Sequence, residues 1–193
     1  MADQQAVAEV DLRIQSIETP FGDGPHQRQS EVARQWLRAH ADVAYPRLLR
    51  RAQTAGSPAV YAALADFARS ESVPVLARAL AAGGPHTDAA ARALALHPQG
   101  TAGQALREAL DQSDPLICMA AADGLLMRAD RADCAALRAR LTDPDALVRY
   151  HVLQAGARLG CLDQAVMASI ARTDADTDVR NLAAKMLALP PVP

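Results

Sequence analysis

Five histidines, three cysteines and a run of alternating aspartates are the residues of this 193-residue chain best equipped for chemistry. His26, His40, His86, His97 and His151 are scattered. None forms the His-Glu pair of an iron site or the HExxH of a zinc protease helix. Cys118, Cys134 and Cys161 lie far apart, with no CxxC and no nearby histidine at ligand spacing. An odd, unpatterned set of this kind fits free thiols in a reducing compartment better than a disulfide framework. Asp174, Asp176 and Asp178 alternate as cation ligands do, but the glycine and terminal glutamate of an EF-hand loop are missing. Carboxylates just ahead of a helix also serve as caps and complement the helix dipole, which is the reading adopted for them. No GxSxG elbow and no glycine-rich phosphate loop occurs. The expectation is a protein that is not an enzyme and holds no cofactor and no metal. His151 reads as a partly covered surface histidine.

The charge pattern narrows the partners. Formal net charge is −2 and the pI is about 6.2, without the strongly basic balance of a general nucleic-acid binder. Lys185 is the single lysine; the other basic side chains are arginines. One basic cluster stands out: Arg28, Arg34, Arg38, Arg47, Arg50 and Arg51, with only Glu31 and Asp42 among them. Arg47, Arg50 and Arg51 share one face of a helix over 45–54, which is either a solvated face or a patch for an acidic partner. The N-terminal residues lack the basic start and apolar run of a signal peptide. No run of about 18 apolar residues is available to cross a membrane. A cytoplasmic protein is expected.

The elements that must position these residues are helical. Half of the residues are apolar but only 3% are aromatic. Alanine, the best helix former, makes up much of the remainder. A period of 30–31 residues runs through the chain. Asp143, Pro144, Asp145, Val148, Arg149 and Gln154 return as Asp174, Ala175, Asp176, Val179, Arg180 and Lys185. Ile117 and His86 continue the series backwards, and Leu64, Leu94 and Leu125 run in parallel with it. A second, independent series comprises Leu76, Leu106 and Leu137, together with Leu80, Leu110 and Leu141. The two series predict paired helices, with second helices near 58–69, 86–97, 115–129, 146–159 and 177–189. Asp114-Pro115 and Asp143-Pro144 cap two of them. Gly83, Gly84, Gly100 and Gly160 sit where helices should end. The segment 170–176 drifts by a residue and is read as loop. Val148, Val152, Ala155 and Leu159 form the apolar stripe of 146–159, with Leu141 and Leu159 in the seam between pairs and Ala155-Gly156 at a close helix approach.

Residues 1–29 do not repeat. Val7, Val10, Ile14 and Ile17 predict an amphipathic helix over 3–18, ended by Pro20 to Pro25. This segment is either a cap on the first repeat's open edge or a mobile arm or dimerising helix. The repeat domain spans 30–189, opening with a helix from Ser30 to about 41 that places Trp36 in the core; residues 190–193 are a frayed tail. A monomer is expected, with dimerisation through the N-terminal helix as the other state.

The pattern of Asp, Val-Arg, small residues and Leu in the second helix resembles HEAT repeats, in particular the short bacterial kind named after the phycobilisome lyases. Asp143, Asp145, Val148, Arg149, Ala155, Leu159 and Gly160 carry the likeness, and so do Asp174, Asp176, Val179, Arg180, Ala183 and Leu187. His86-Thr87 and Ile117-Cys118 depart from Val-Arg. The resemblance implies an all-α, right-handed superhelical solenoid of about five helix pairs with an N-terminal capping helix. It also implies an Asp-Arg ladder between repeats, which makes Arg149 and Arg180 structural; stranding an acceptor by removing one costs ~1–3 kcal/mol. The fold hosts scaffolds, chaperones, lyases and glycosylases, so function must come from a site. A bilin lyase or isomerase wants an aromatic-walled pocket, and a glycosylase a basic groove rich in Trp and Tyr; this chain has one Trp and three Tyr. The expected function is therefore an adaptor or regulatory binder holding another protein in the concave groove lined by second helices. An immunity protein or chaperone using the same face is the neighbouring reading. The groove positions are Asp88 and Arg92; Met119, Asp123 and Met127; Tyr150, Gln154 and Arg158; and Asn181 and Lys185. Arg107, on a first helix, is expected on the opposite side.

Overall fold

The computed structural model describes residues 2–19 and 24–188. They form twelve α-helices and no strand: α1 (Ala2–Glu18), α2 (Gly24–Ala39), α3 (Ala41–Ala55), α4 (Pro58–Phe67), α5 (Ser72–Ala81), α6 (Thr87–Leu96), α7 (Gly100–Leu110), α8 (Pro115–Arg128), α9 (Cys134–Ala139), α10 (Ala146–Arg158), α11 (Gln164–Thr173) and α12 (Thr177–Leu187). A short 3-10 turn, Arg131–Asp133, precedes α9. Among the described residues no helix is long and apolar enough to cross a membrane. The expected break at 20–25 falls largely outside the described backbone, and α2 already begins at Gly24. The expected tail, 190–193, also lies outside the described residues.

Two compact units divide the chain, Met1–Gln99 and Gly100–Pro193. In the first, α3 packs with α4 and α5 with α6, while α4 lies beside α6 and α3 beside α5. In the second, α7 pairs with α8, α9 with α10 and α11 with α12, and α10 lies between α8 and α12. The five predicted second helices are α4, α6, α8, α10 and α12. Four of the five, all but α6, gain a side-chain cap from their sequence. Ser57 accepts from the amide of Val60, Asp114 from that of Leu116, Asp145 from Leu147 and Val148, and Asp176 from Asp178 and Val179. The cap of α10 is therefore Asp145. Asp143 instead accepts from the amide of Asp145 at 2.8 Å and pairs with Arg140.

The repeated leucines form the core of each unit. Leu64, Leu76, Leu80 and Leu94 are fully buried in the first; Leu106, Leu110, Leu125 and Leu137 are fully buried in the second. Complete burial of one such side chain contributes roughly 1.5–3 kcal/mol. Leu141 and Leu159 depart from expectation. Both are only half-buried, because α9 ends at Ala139 and α10 at Arg158, so each sits in a turn. Leu137 and Leu153 are the fully buried leucines of these two helices instead. The close approach at Gly156 is made by Leu162 of the following turn, 3.1 Å from where a Cβ would stand. Trp36 is half-buried at the surface, stacked on His40 with ring centroids 3.9 Å apart. Gly100 opens α7 rather than closing α6, and residues 170–173 belong to α11, leaving only 174–176 as loop.

The cysteines correct the expectation of free thiols. Cys134 and Cys161 form a disulfide, with Cα atoms 5.2 Å apart. It ties the start of α9 to the turn after α10. Cys118 is free and buried, and burial pushes its thiol pKa up, so it is a poor nucleophile. The Cys134–Cys161 bond closes a loop with a separation of 27 residues, for which loop-closure entropy gives about 3.5 kcal/mol. Cys134→Ser with Cys161→Ser is expected to lower stability by roughly 2–4 kcal/mol in denaturant titration under oxidising conditions. Equal stability of variant and parent there would show that the bond contributes nothing.

Two helix ends are closed by alanine in the left-handed region, Ala68 and Ala129, both at φ 54°. Gly160 takes that conformation, at φ 67°, one repeat after Ala129. A side chain there costs ~1–2 kcal/mol, while glycine costs entropy when the chain folds. Ala129→Gly is therefore expected to raise stability by about 0.5–1 kcal/mol. A lower melting midpoint would contradict the assignment.

Candidate partner-binding site

The second unit contains an open cleft of about 650 Å³ between α10 and α12. α10 contributes Ala146, Leu147, Tyr150, His151, Gln154 and Arg158; α12 and its cap contribute Asp176, Asp178, Asn181, Leu182, Lys185 and Met186. Five residues expected from the sequence meet here: Tyr150, Gln154, Arg158, Asn181 and Lys185. They do so because a spacing of 31 residues puts Tyr150 beside Asn181 and Gln154 beside Lys185 on two adjacent helices. Met119, Asp123 and Met127 carry the same positions onto α8, which packs on the other side of α10. Asp88 and Arg92 are exposed on α6, in the other unit.

Three features of the cleft matter for binding. The first is charge. Arg158 and Lys185 are exposed near the C-terminal ends of their helices, where cations offset the helix dipole. Neither forms an ion pair among the described residues, so both are available to a partner. Asp178 lies at the opposite end of α12, about 10 Å away along the helix at 1.5 Å per residue. The second is apolar surface. Leu147 is 53% exposed and Leu116, its equivalent on α8, is 63% exposed. The sequence held the signal for both: they are 31 residues apart and stand three residues before Tyr150 and Met119, one turn earlier on the same stripe. The third is rigidity. His151 Nδ1 lies 2.9 Å from Asp123 Oδ1, joining α10 to α8. The ring of Tyr150 meets that of His151 edge-on, with centroids 5.7 Å apart.

The link between α10 and α12 is the Arg149–Asp174 pair. Nε and Nη2 of Arg149 donate to the two carboxylate oxygens of Asp174 at 2.9 and 2.8 Å. Both side chains are nearly covered, 12% and 9% exposed. The Arg149 guanidinium, through its hydrogen bond, holds the Asp174 carboxyl below its ordinary pKa and Arg149 in turn is raised, while burial opposes both shifts. Asp174 also accepts from the amide of Asp176 at 2.9 Å. Two of the three alternating aspartates are thus engaged in an ion pair and a helix cap. Among the described residues no cluster of three His, Cys, Asp or Glu side chains is placed to hold a metal ion.

The basic cluster is placed differently from its reading in sequence. Arg47 donates through Nε to Asp11 at 2.7 Å, and Arg51 through Nε to Glu18 at 3.0 Å. Arg34 grips Asp66 with Nε at 3.1 Å and Nη2 at 2.7 Å, and Arg38 joins the same carboxylate at 3.2 Å. Glu31 and Asp42 were the only acids nearby in sequence; Asp11 and Glu18 arrive because Val10, Ile14 and Ile17 bury α1 against the unit. The secondary face of Arg47, Arg50 and Arg51 is therefore largely neutralised, with Arg50 left exposed. Arg107 pairs with Asp133, which is fully buried, so it is no neutral surface position.

Compared with models of known protein families the chain matches none, and no curated protein matches it.

Asp174 is held below its ordinary 3.8. A depressed carboxyl contributes stability above its unfolded pKa and loses it as pH falls through the folded value. Arg149→Ala, which strands a nearly buried carboxylate, is expected to cost roughly 3 kcal/mol at pH 7. Asp174→Asn should flatten the acid limb of the stability curve below about pH 4. An acid limb as steep as that of the parent in thermal melts at stepped pH would exclude the pair as its source.

Proposed function

We propose that this protein is a non-catalytic binding module of the HEAT-like, right-handed solenoid class, and that it holds a partner protein on the face formed by α8, α10 and α12. The observation that carries this reading is the α10/α12 cleft. It collects a half-buried tyrosine, an exposed leucine, two cations without an ion pair among the described residues and an acid at repeat-equivalent positions. Tyrosine and arginine are favoured interface anchors because they combine apolar area with directional hydrogen bonds. Methionine at Met119 and Met127 adapts to an irregular surface. The mixture of signs suits a shaped protein surface better than a polyanion track. An adaptor or regulatory binder is the reading preferred, and an immunity protein or chaperone would use the same face.

A cytoplasmic setting belongs to this proposal, and the Cys134–Cys161 bond weighs against it, since disulfides persist chiefly in oxidising compartments. Thiol labelling of the protein taken directly from its cells decides the point.

Affinity purification from the native host with mass spectrometry supplies the partner. Tyr150→Ala and Arg158→Glu are then each expected to weaken binding by about 2 kcal/mol, roughly thirty-fold. The control is Glu108→Lys on α7, where the side chain is exposed and accepts a hydrogen bond from Gln104 at 2.9 Å. Calorimetry that finds the control inactive and both cleft variants unaffected would remove the cleft from the interface.

A further inference from the structure

Arg149 and Arg180 are equivalent residues of successive repeats, 31 positions apart. Each guanidinium is fixed by its own turn in the same way. Nη1 of Arg149 donates to the carbonyls of Asp143 at 2.8 Å and Pro144 at 3.2 Å. Nη1 of Arg180 donates to those of Asp174 at 2.6 Å and Ala175 at 3.0 Å. The other edge differs. On Arg149 it closes on the carboxylate of Asp174 as a fork. On Arg180, Nη2 spends one hydrogen on Thr177 Oγ1 at 2.8 Å, and Nε has no acceptor among the described residues. Since a guanidinium carries five N–H donors, Nε–H and one Nη2–H of Arg180 are left without an acceptor among the described residues. The same device is thus present once filled and once empty.

The empty fork is already oriented. Arg180 is half-buried and held by three hydrogen bonds, so a ligand need not freeze a long side chain on arrival. A planar fork selects carboxylate or phosphate. The filled copy identifies which: a carboxylate carried in the turn between two helices. The adjacent helix supports this independently. α11 has no buried residue, whereas its counterpart α7 buries Ala102, Gly103, Ala105, Leu106, Ala109 and Leu110. Val166 is 37% exposed, and Met167 and Ile170 are only partly covered.

We propose that the edge of the second unit formed by Arg180 and α11 is a docking surface for an acidic inter-helix turn of a partner protein. An Asp or Glu of that turn closes on Nε and Nη2 of Arg180 as Asp174 closes on Arg149, while the partner's helices cover Val166 and its neighbours. This surface is separate from the α10/α12 cleft and stands or falls without it.

The test uses the full-length protein labelled with nitrogen-15 in arginine and follows the Nε–H signals, with Arg180 assigned by its loss in Arg180→Lys. The probe is the capped pentapeptide Thr-Asp-Ala-Asp-Thr, which copies residues 173–177. Its control is Thr-Asn-Ala-Asp-Thr, and inorganic phosphate is titrated in parallel. The expected result is a saturable shift of Arg180 with the Asp peptide, at least ~10-fold weaker with the Asn peptide, and no movement of Arg149, whose fork is filled. Arg180→Lys keeps the charge but loses the fork and should abolish binding; it also loses the bonds to the turn carbonyls, so it should melt somewhat below the parent while an unchanged far-UV spectrum and unmoved signals of the other arginines show that it is folded. The proposal is overturned by a shift at Arg180 no larger than those of Arg158 and Arg172, or by equal responses to the two peptides. Phosphate binding tighter than the peptide overturns it in favour of a phosphate ligand. A dimer in sedimentation of the unmodified protein that Arg180→Lys dissolves overturns it in favour of a second copy of this chain.

Discussion

The guanidinium of Arg149 is the joint on which the α10/α12 cleft depends. It binds the two carbonyls of its own turn and both carboxylate oxygens of the next, so it fixes where α12 begins relative to α10. Asp174, locked by that contact, accepts the amide of Asp176, and Asp176 caps α12. Position is passed from one charged side chain through a turn to a helix axis. The rows of the cleft, Leu147 beside Asp178, Tyr150 beside Asn181 and Gln154 beside Lys185, inherit their register from it.

Such a joint is needed because the helices themselves offer little grip. An alanine-rich surface lets helices come close but leaves few interlocking side chains, and α10 holds its neighbours mainly through Val148, Val152 and Leu153. Apolar contact of this kind favours association but specifies angle and register weakly. Charged groups with fixed geometry supply the missing specification. Their cost in desolvation is offset where the fork is filled, as it is at Arg149.

The helices were legible in the sequence because their signals are local. Asp114-Pro115 announces a helix start, Asp143-Pro144 announces one two residues ahead of the true cap Asp145, and the leucines at a spacing of 30–31 residues announce faces. Half of the expected groove residues meet in one cleft for the same reason: equivalence by 31 survives folding when adjacent pairs stack alike. What sequence could not supply were pairings between distant residues that obey no period. Arg47 finds Asp11 from 36 positions away, and Cys134 and Cys161 are 27 apart, off the repeat. Arg107 finds the buried Asp133 across 26. Charge counted in a window along the chain therefore missed the acids that pair with the basic cluster. Leu116 and Leu147 are a different kind of omission. Their period was visible, but an apolar residue is assigned to the core by habit, and only the geometry of the first turn puts it outside.

Arg140 shows how such pairings bear on modularity. The repeat before Arg149 has Cys118 where a ladder arginine would stand. Arg140, arriving from the following pair, donates to the Gln112 carbonyl at 3.3 Å, lies 3.3 Å from the Cys118 sulfur and pairs with Asp143 at 2.6 Å. The job of one repeat is done by a residue of the next. The helix pairs are therefore not interchangeable bricks. Excising α7 and α8 as a unit would remove Gln112 and Cys118 and leave Arg140 without those acceptors, and inserting a foreign pair ahead of α9 would have the same effect. Recombination within this chain has to carry Arg140 together with Gln112 and Cys118, which means keeping two successive helix pairs as one piece.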